Sequence, residues 1–216
     1  MPSATLEEYL EAIFKLSERG HVRPKQIAVA MGVSAPTVTA TLGRLEKRAL
    51  AERPEGLVTL TPDGYSQAVS IVRRHRLAEV FLHDSLELPW DVVHAEACKL
   101  EHAMSPEVAT ALAHYLGDPE RCPHGHVIPR LDGTMPTSDG APLSEALAGT
   151  RYRVMSVDED GGEEFIFYLG ELGLYPGTEL TVIEVAPFDG PITVLIDGQE
   201  HAVGQATAAL VSCSLL

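Results

Sequence analysis

The sequence predicts an α+β fold with helices first and strands last. Apolar residues recur at helical spacing up to about Leu116, and from about Thr150 the apolar period shifts to two. Between these regions, CPHGHVIPRLDGTMPTSDGAP concentrates proline and glycine and reads as a linker, partly ordered at best. The expected segments are 1–72, 73–118, a linker over 119–149, and 150–216.

The first segment reads as three short helices and a hairpin. Leu6, Tyr9, Leu10, Ile13, Phe14 and Leu16 lie at helical spacing, with Thr5 the expected N-cap and Glu8 completing a capping box. Gly20 ends this helix. A second runs from Pro24, a favoured first-turn residue, to about Met31, and Gly32 closes it. Ser34 caps a third helix whose apolar face is Val38, Leu42 and Leu45. Helix, tight glycine turn and Ser-capped helix is the helix-turn-helix pattern. LAERPEGLVTLTP then predicts two short strands around a Pro-Glu-Gly turn, the wing.

Pro62 opens a long helix expected to reach about Leu86. Two more follow, over Pro89–Met104 and Pro106–Leu116, and their surplus of apolar surface predicts a dimerisation unit. In the tail, YRVMSV, EFIFYL, ELTVIEV, PITVLI and EHAV read as five short strands, with QATAALV a closing helical turn. Five such strands in so short a stretch predict a small β-barrel.

Composition narrows the function. With 45% hydrophobic and 22% charged residues the chain is globular, and no apolar run approaches a membrane span. MPSATLEEYLEAIF lacks the basic start of a signal peptide, and three cysteines are too few for a disulfide scaffold, so the expected location is the cytoplasm. A net charge of −15 looks wrong for a DNA binder until it is split. Residues 1–75 carry 10 Lys+Arg against 8 Asp+Glu, and the remainder carries 6 against 23. Phosphate binding needs only a local basic surface, because screening limits its reach to about 8 Å.

The most informative stretch is His94-Ala-Glu-Ala-Cys-Lys-Leu-Glu-His102. At about 100° per residue, His94, Cys98, Glu101 and His102 share one helix face. Imidazole, thiol and carboxylate together make poor core and suit Mn, Fe, Co, Ni or Zn rather than Ca or Mg. His75 and Glu79, at i and i+4, offer a second pair, and Glu8 and Glu11 add carboxylates from the first helix. Isolated His/Glu pairs are common on solvated faces; four ligand types on one face are not. Cys122-Pro-His124-Gly-His126 lies in the linker without a fourth ligand and is set aside as an independent site. Cys213 reads as a packed thiol.

RRHRLAEVFL (73–82), HAEACKLEHAMS (94–105) and EEYLEAIF (7–14) closely resemble the diphtheria toxin repressor/manganese transport regulator family of metal-dependent repressors. The resemblance covers essentially the whole chain. It implies a winged helix-turn-helix, dimerisation helices and a C-terminal SH3-like (FeoA-like) domain. It implies a primary metal site at Glu8, Cys98, Glu101 and His102, and an ancillary site at His75, Glu79 and His94. The C-terminal domain would complete the latter through Glu164, with Asp160 or Glu163 nearby, because Gly161 at the matching position has no side chain. Ser34, Pro36, Thr37 and Thr39 match DNA-contact positions, and Arg44 and Lys47 follow as further candidates. Ala40 replaces a glutamine of iron-type relatives, so it can meet a thymine methyl but cannot hydrogen-bond a base edge. Glu8 replaces a methionine of those relatives, which favours Mn(II), while Cys98 is their iron-type choice; Mn(II) is expected first and Fe(II) second.

The implied function is a homodimer that binds a palindromic double-stranded operator when metal is bound, repressing metal-uptake genes, with two sites per subunit and no enzymatic activity. Two rival readings compete with it. A metallohydrolase would leave the helix-turn-helix unexplained and lacks a general base beside the donors. A metal-independent regulator sensing an oxidant through Cys98 would act without added metal.

Overall fold

The computed structural model describes residues 3–137 and 140–216, apart from the side chain of Asp160. The chain forms two compact units, residues 1–75, 99–111 and 129–134 in one and 76–98, 112–128 and 135–216 in the other. Among the described residues no helix is long and apolar enough to cross a membrane.

The first unit opens with α1 (Ala4–Ser17), α2 (Pro24–Ala30) and α3 (Ala35–Lys47). Leu6, Leu10 and Ile13 of α1 and Ile27, Val38, Leu42 and Leu45 of α2 and α3 are fully buried, each contributing on the order of 1.5–3 kcal/mol. α1 starts two residues ahead of the expectation. Ser3 is its N-cap, without a side-chain cap bond, so the Thr5–Glu8 capping box does not form and Glu8 is left half exposed. Ser34 caps α3 by accepting from the Thr37 amide at 3.4 Å, as its position predicts. The wing is small: β1 (Ala51–Glu52) pairs antiparallel with β2 (Thr59–Leu60), and Val22 bridges Val58. Arg53 grips Glu46 of α3 with two bonds, 2.6 and 2.5 Å, holding the wing to α3.

Three further helices follow: α4 (Pro62–Val80), α5 (Val93–Glu101) and α6 (Pro106–Tyr115). Thr61 caps α4 through the Gly64 amide at 3.0 Å. The expected continuation to Leu86 loosens into a π-helical turn over Phe81–Ser85. α5 begins at Val93, not Pro89; the residues before it form a turn closed by Val92 N–H on Pro89 O at 3.0 Å.

The second unit is built on a six-stranded sheet in the order β3-β8-β4-β5-β6-β7. Its strands are β3 (Ala141–Pro142), β4 (Arg151–Val157), β5 (Glu179–Val185), β6 (Ile192–Ile196), β7 (Gln199–Val203) and β8 (Val211–Leu215). Val154, Val157, Leu180, Val182, Ile192, Val194 and Val211 form its core, with Trp90 packed against them. EFIFYL is not a strand. It lies in α7 (Glu163–Glu171), because Ile166 and Leu169, one helical turn apart, bury together and leave Phe167 and Tyr168 exposed. QATA forms α8 (Gln205–Ala208), and β8 is a further strand beyond those expected.

The first part of the expected linker, up to Pro129, is packed structure. Cys122, His124, Val127 and Ile128 are buried, and Val157 N–H donates to His124 O at 2.9 Å. Gly125, at φ +86, lets this loop ride directly on β4: a Cβ there would lie 2.0 Å from Met155 O. Arg76 of α4 secures the same loop by donating to Val127 O at 2.6 Å.

Candidate metal centres and the DNA-reading face

The first unit gathers donors from three helices. Glu11 of α1, His75 of α4 and Glu101 at the end of α5 present ligand atoms within 4.8 Å of one another, and all three are buried. His75 Nδ1 lies 2.6 Å from Glu101 Oε2. His102, one residue past α5, turns Nε2 toward Glu101 Oε1 at 3.3 Å and Glu8 Oε1 at 3.8 Å. Burial pushes the Glu101 carboxyl up; the His75 bond opposes this, and the nearby Glu11 carboxylate adds to it. Three buried or half-buried carboxylates stand among two imidazoles, and Lys15 meets one of them, Glu11, at 3.0 Å. That donor chemistry fits a divalent transition metal, with oxygen in the majority.

The second unit holds a different set. Glu79 of α4, Cys122 and His124 of the packed loop, and Glu159 after β4 are all buried, with ligand atoms within 4.8 Å. His124 Nδ1 faces Glu79 Oε1 at 3.2 Å and Glu159 Oε1 at 3.5 Å, while its Nε2–H donates to Trp90 O at 3.0 Å. His94 joins from α5, with Nδ1 3.3 Å from Glu79 Oε1. Burial alone would lower His124, but the Glu79 and Glu159 carboxylates outweigh it and hold the imidazole above its ordinary value. Burial, then the same two carboxylates, pushes the Cys122 thiol well up. Two carboxylates, an imidazole and a thiol buried together, with the imidazole oriented by a carbonyl, also fit a divalent transition metal.

Glu8, Glu11, His75, Glu101 and His102 stand in the first unit, where His75 makes a short bond to Glu101. Glu79, His94 and Cys98 stand in the second unit, where Cys98 Sγ lies 3.8 Å from His94 Nε2. Glu164 is exposed on the first turn of α7, as is Glu163, and belongs to none of the donor clusters among the described residues. Glu159 stands in the buried cluster instead, because it precedes α7 on the turn leaving β4. His124 and Cys122, set aside as a motif without partners, find theirs in Glu79 and Glu159, and only tertiary structure supplies them.

On α3, Ser34, Pro36, Thr37, Thr39, Ala40, Arg44 and Lys47 are exposed, opposite buried Val38, Thr41, Leu42 and Leu45. Thr37 is tied to Ser34 by a 2.8 Å hydroxyl bond, and Thr39 bonds the Ala35 carbonyl, so the hydroxyl-bearing first turn is held in place.

A wing-flanked reading helix in the same unit as a buried, carboxylate-rich donor set defines a metal-responsive DNA-binding regulator. Residues 1–55 match the family described as iron dependent repressor, N-terminal DNA binding domain. Residues 61–130 match its metal binding and dimerisation domain, and residues 141–215 match the FeoA domain. The chain is 36% identical over 211 residues to the iron-dependent repressor IdeR of Mycobacterium tuberculosis, spanning 91% of this chain and 90% of that one. It is 34% identical to the diphtheria toxin repressor of Corynebacterium efficiens, spanning 92% and 94%. A solved manganese-dependent transcriptional repressor in complex with manganese superimposes with a TM-score of 0.91 at 34% identity, covering 98% of this chain and all of that one. The chain belongs to the diphtheria toxin repressor/manganese regulator family of metal-dependent transcriptional repressors.

Proposed function

We propose that this chain is a homodimeric repressor of metal-uptake genes that binds a palindromic operator when loaded with Mn(II), Fe(II) being the second choice. The observation that carries the reading is the first donor set, in which α1 of the DNA-binding domain supplies Glu8 and Glu11 against His75, Glu101 and His102. A metal held there would contribute one positive centre shared by helices that otherwise carry mutually repelling carboxylates. These residues would then fix α1 against α4 and the end of α5, and with α1 the orientation of α3. The majority of oxygen donors supports Mn(II) over softer ions. Glu79, Cys122, His124 and Glu159, with His94, would hold a second ion. Cys98, whose Sγ lies 3.8 Å from His94 Nε2, is a further candidate ligand.

Metal favours DNA binding only as far as it binds the competent arrangement better, so operator DNA must tighten metal binding by the same factor. On this reading α3 lies in the major groove, Arg44 and Lys47 meet phosphates, and the two α3 helices of the dimer read successive half-sites. The test is an anaerobic operator titration with Mn(II), Fe(II), Co(II) and Zn(II) against chelator-treated protein. Metal-free protein that bound its operator as tightly as loaded protein would end the proposal.

A further inference from the structure

We propose that Glu7, anchored by Arg74, is a positioning residue that selects which nitrogen of His102 meets the metal; this rests on the first donor set being a metal site. Glu7 and Glu8 are adjacent on α1, about 100° apart around the helix. Glu8 is half exposed, whereas Glu7 is 6% exposed and aimed inward. One oxygen of Glu7, Oε2, lies 2.9 Å from His102 Nδ1 and 3.3 Å from Arg74 Nη2. Arg74, 7% exposed, donates through its other amine to Met104 O at 3.1 Å, on the turn that also carries His102. The carboxylate is thus clamped between a guanidinium and an imidazole, and the guanidinium is clamped to the backbone beside that imidazole.

The chemistry follows from what each group can do. A carboxylate only accepts, so Nδ1 of His102 must carry the ring proton in this bond. In the neutral ring the lone pair is then left on Nε2, the atom that faces Glu101 Oε1 at 3.3 Å and Glu8 Oε1 at 3.8 Å. Ligating histidines commonly donate their second ring N–H in this way, which fixes tautomer and ring orientation and raises basicity. Glu7 is the acceptor here, and Arg74 keeps it from swinging into the donor set as one more carboxylate. A salt bridge serving stability alone would need no contact with His102; the shared oxygen is what distinguishes the two roles.

The experiment uses the full-length, ¹⁵N-labelled protein freed of metal with chelator, and reads the ring nitrogens of His102 by long-range proton–nitrogen NMR. His102→Ala assigns the signals. The wild type is expected to show protonated Nδ1 and unprotonated Nε2; the opposite tautomer overturns the proposal without any further variant. Glu7→Met combined with Arg74→Met removes both charges together, so neither is left buried alone. This double variant is expected to lose the fixed tautomer and to bind Mn(II) at the first set about 10–100-fold more weakly in a two-site calorimetric titration. A folded double variant with unchanged tautomer and unchanged Mn(II) affinity refutes the positioning role. If His102→Ala bound Mn(II) like the wild type, the metal site itself would fall; loss in His102→Ala with none in the double variant sinks Glu7 alone.

Discussion

The two donor sets differ in what holds their histidines and in how open they are. In the first unit His102 is steered by a carboxylate and keeps 18% of its side chain exposed, beside a half-exposed Glu8. In the second, His124 is fully buried and steered by the backbone carbonyl of Trp90, with a thiol among its neighbours. A set exposed only at its edge, through Glu8 and His102, and rich in oxygen donors would suit a reversible sensor. A closed set with sulfur, packed on a β-sheet, suits an ion that stays.

The strongest test of that contrast is to remove one donor from each set. His102→Ala and His75→Ala should each abolish metal-dependent operator binding, a loss of about 100-fold or more, since even outer-shell partners are worth 10–100-fold. Both should remain folded dimers by sedimentation. His75→Ala behaving like His124→Ala instead would move His75 back to the second set.

Acidity should separate the sets next. The raised Cys122 thiol and raised His124 must both surrender protons before they ligate, so loading the second set should release about one to two protons near neutral pH. Its affinity should therefore climb by up to about 100-fold per pH unit, and more steeply than that of the first set. The stabilities run oppositely. In metal-free protein the His124–carboxylate contacts are fully felt below the ordinary imidazole value and fade as pH rises through the raised one, while metal-bound protein gains stability upward. Calorimetry in two buffers of different ionisation enthalpy counts the protons, and equal release by both sets would erase the distinction.

A smaller effect is expected from His124→Ala. Operator binding should still respond to metal, with a coupling weakened by ~1–3 kcal/mol, and the metal-dependent rise in melting temperature should shrink. A complete loss of response would make the second set the sensor. Smallest is Glu8→Met, which exchanges a hard donor for a soft one and should move the order of activating metals from Mn(II) toward Fe(II), Co(II) or Ni(II) by a few fold. An unchanged order in the operator titration would show that half-exposed Glu8 does not choose the metal.

The sequence was most readable where local chemistry decides structure. Pro24, Gly32 and Ser34 mark the ends of α2 and α3 by capping rules, and the alternation in ELTVIEV and PITVLI marks β5 and β6. It was least readable where a segment's fate depends on distant partners. Phe165 and Ile166 side by side suit a strand as well as a helix, and only packing on the sheet core settles α7. Pro and Gly in the 119–149 stretch mimic a flexible linker, yet Gly125 is there to approach β4. The donor sets divide the same way. Glu101 and His102 could be read from one helix face, whereas His124 meets Glu79 across 45 residues of chain. Glu7 gave no signal beyond an acidic residue in a first turn, because its partners Arg74 and His102 are brought to it by the fold.

Trp90 is the sole tryptophan in the chain, and its ring sits 5.1 Å from that of His124 and 4.8 Å from that of Tyr175. Its indole N–H donates to Pro123 O at 3.0 Å, and its own carbonyl receives His124. Excitation at the red edge of protein absorbance therefore reports from one place only, the wall of the second donor set. Paramagnetic Mn(II) settling beside His124 would quench that emission. The protein would thus carry its own optical gauge of the second set, readable in the unmodified chain without a label.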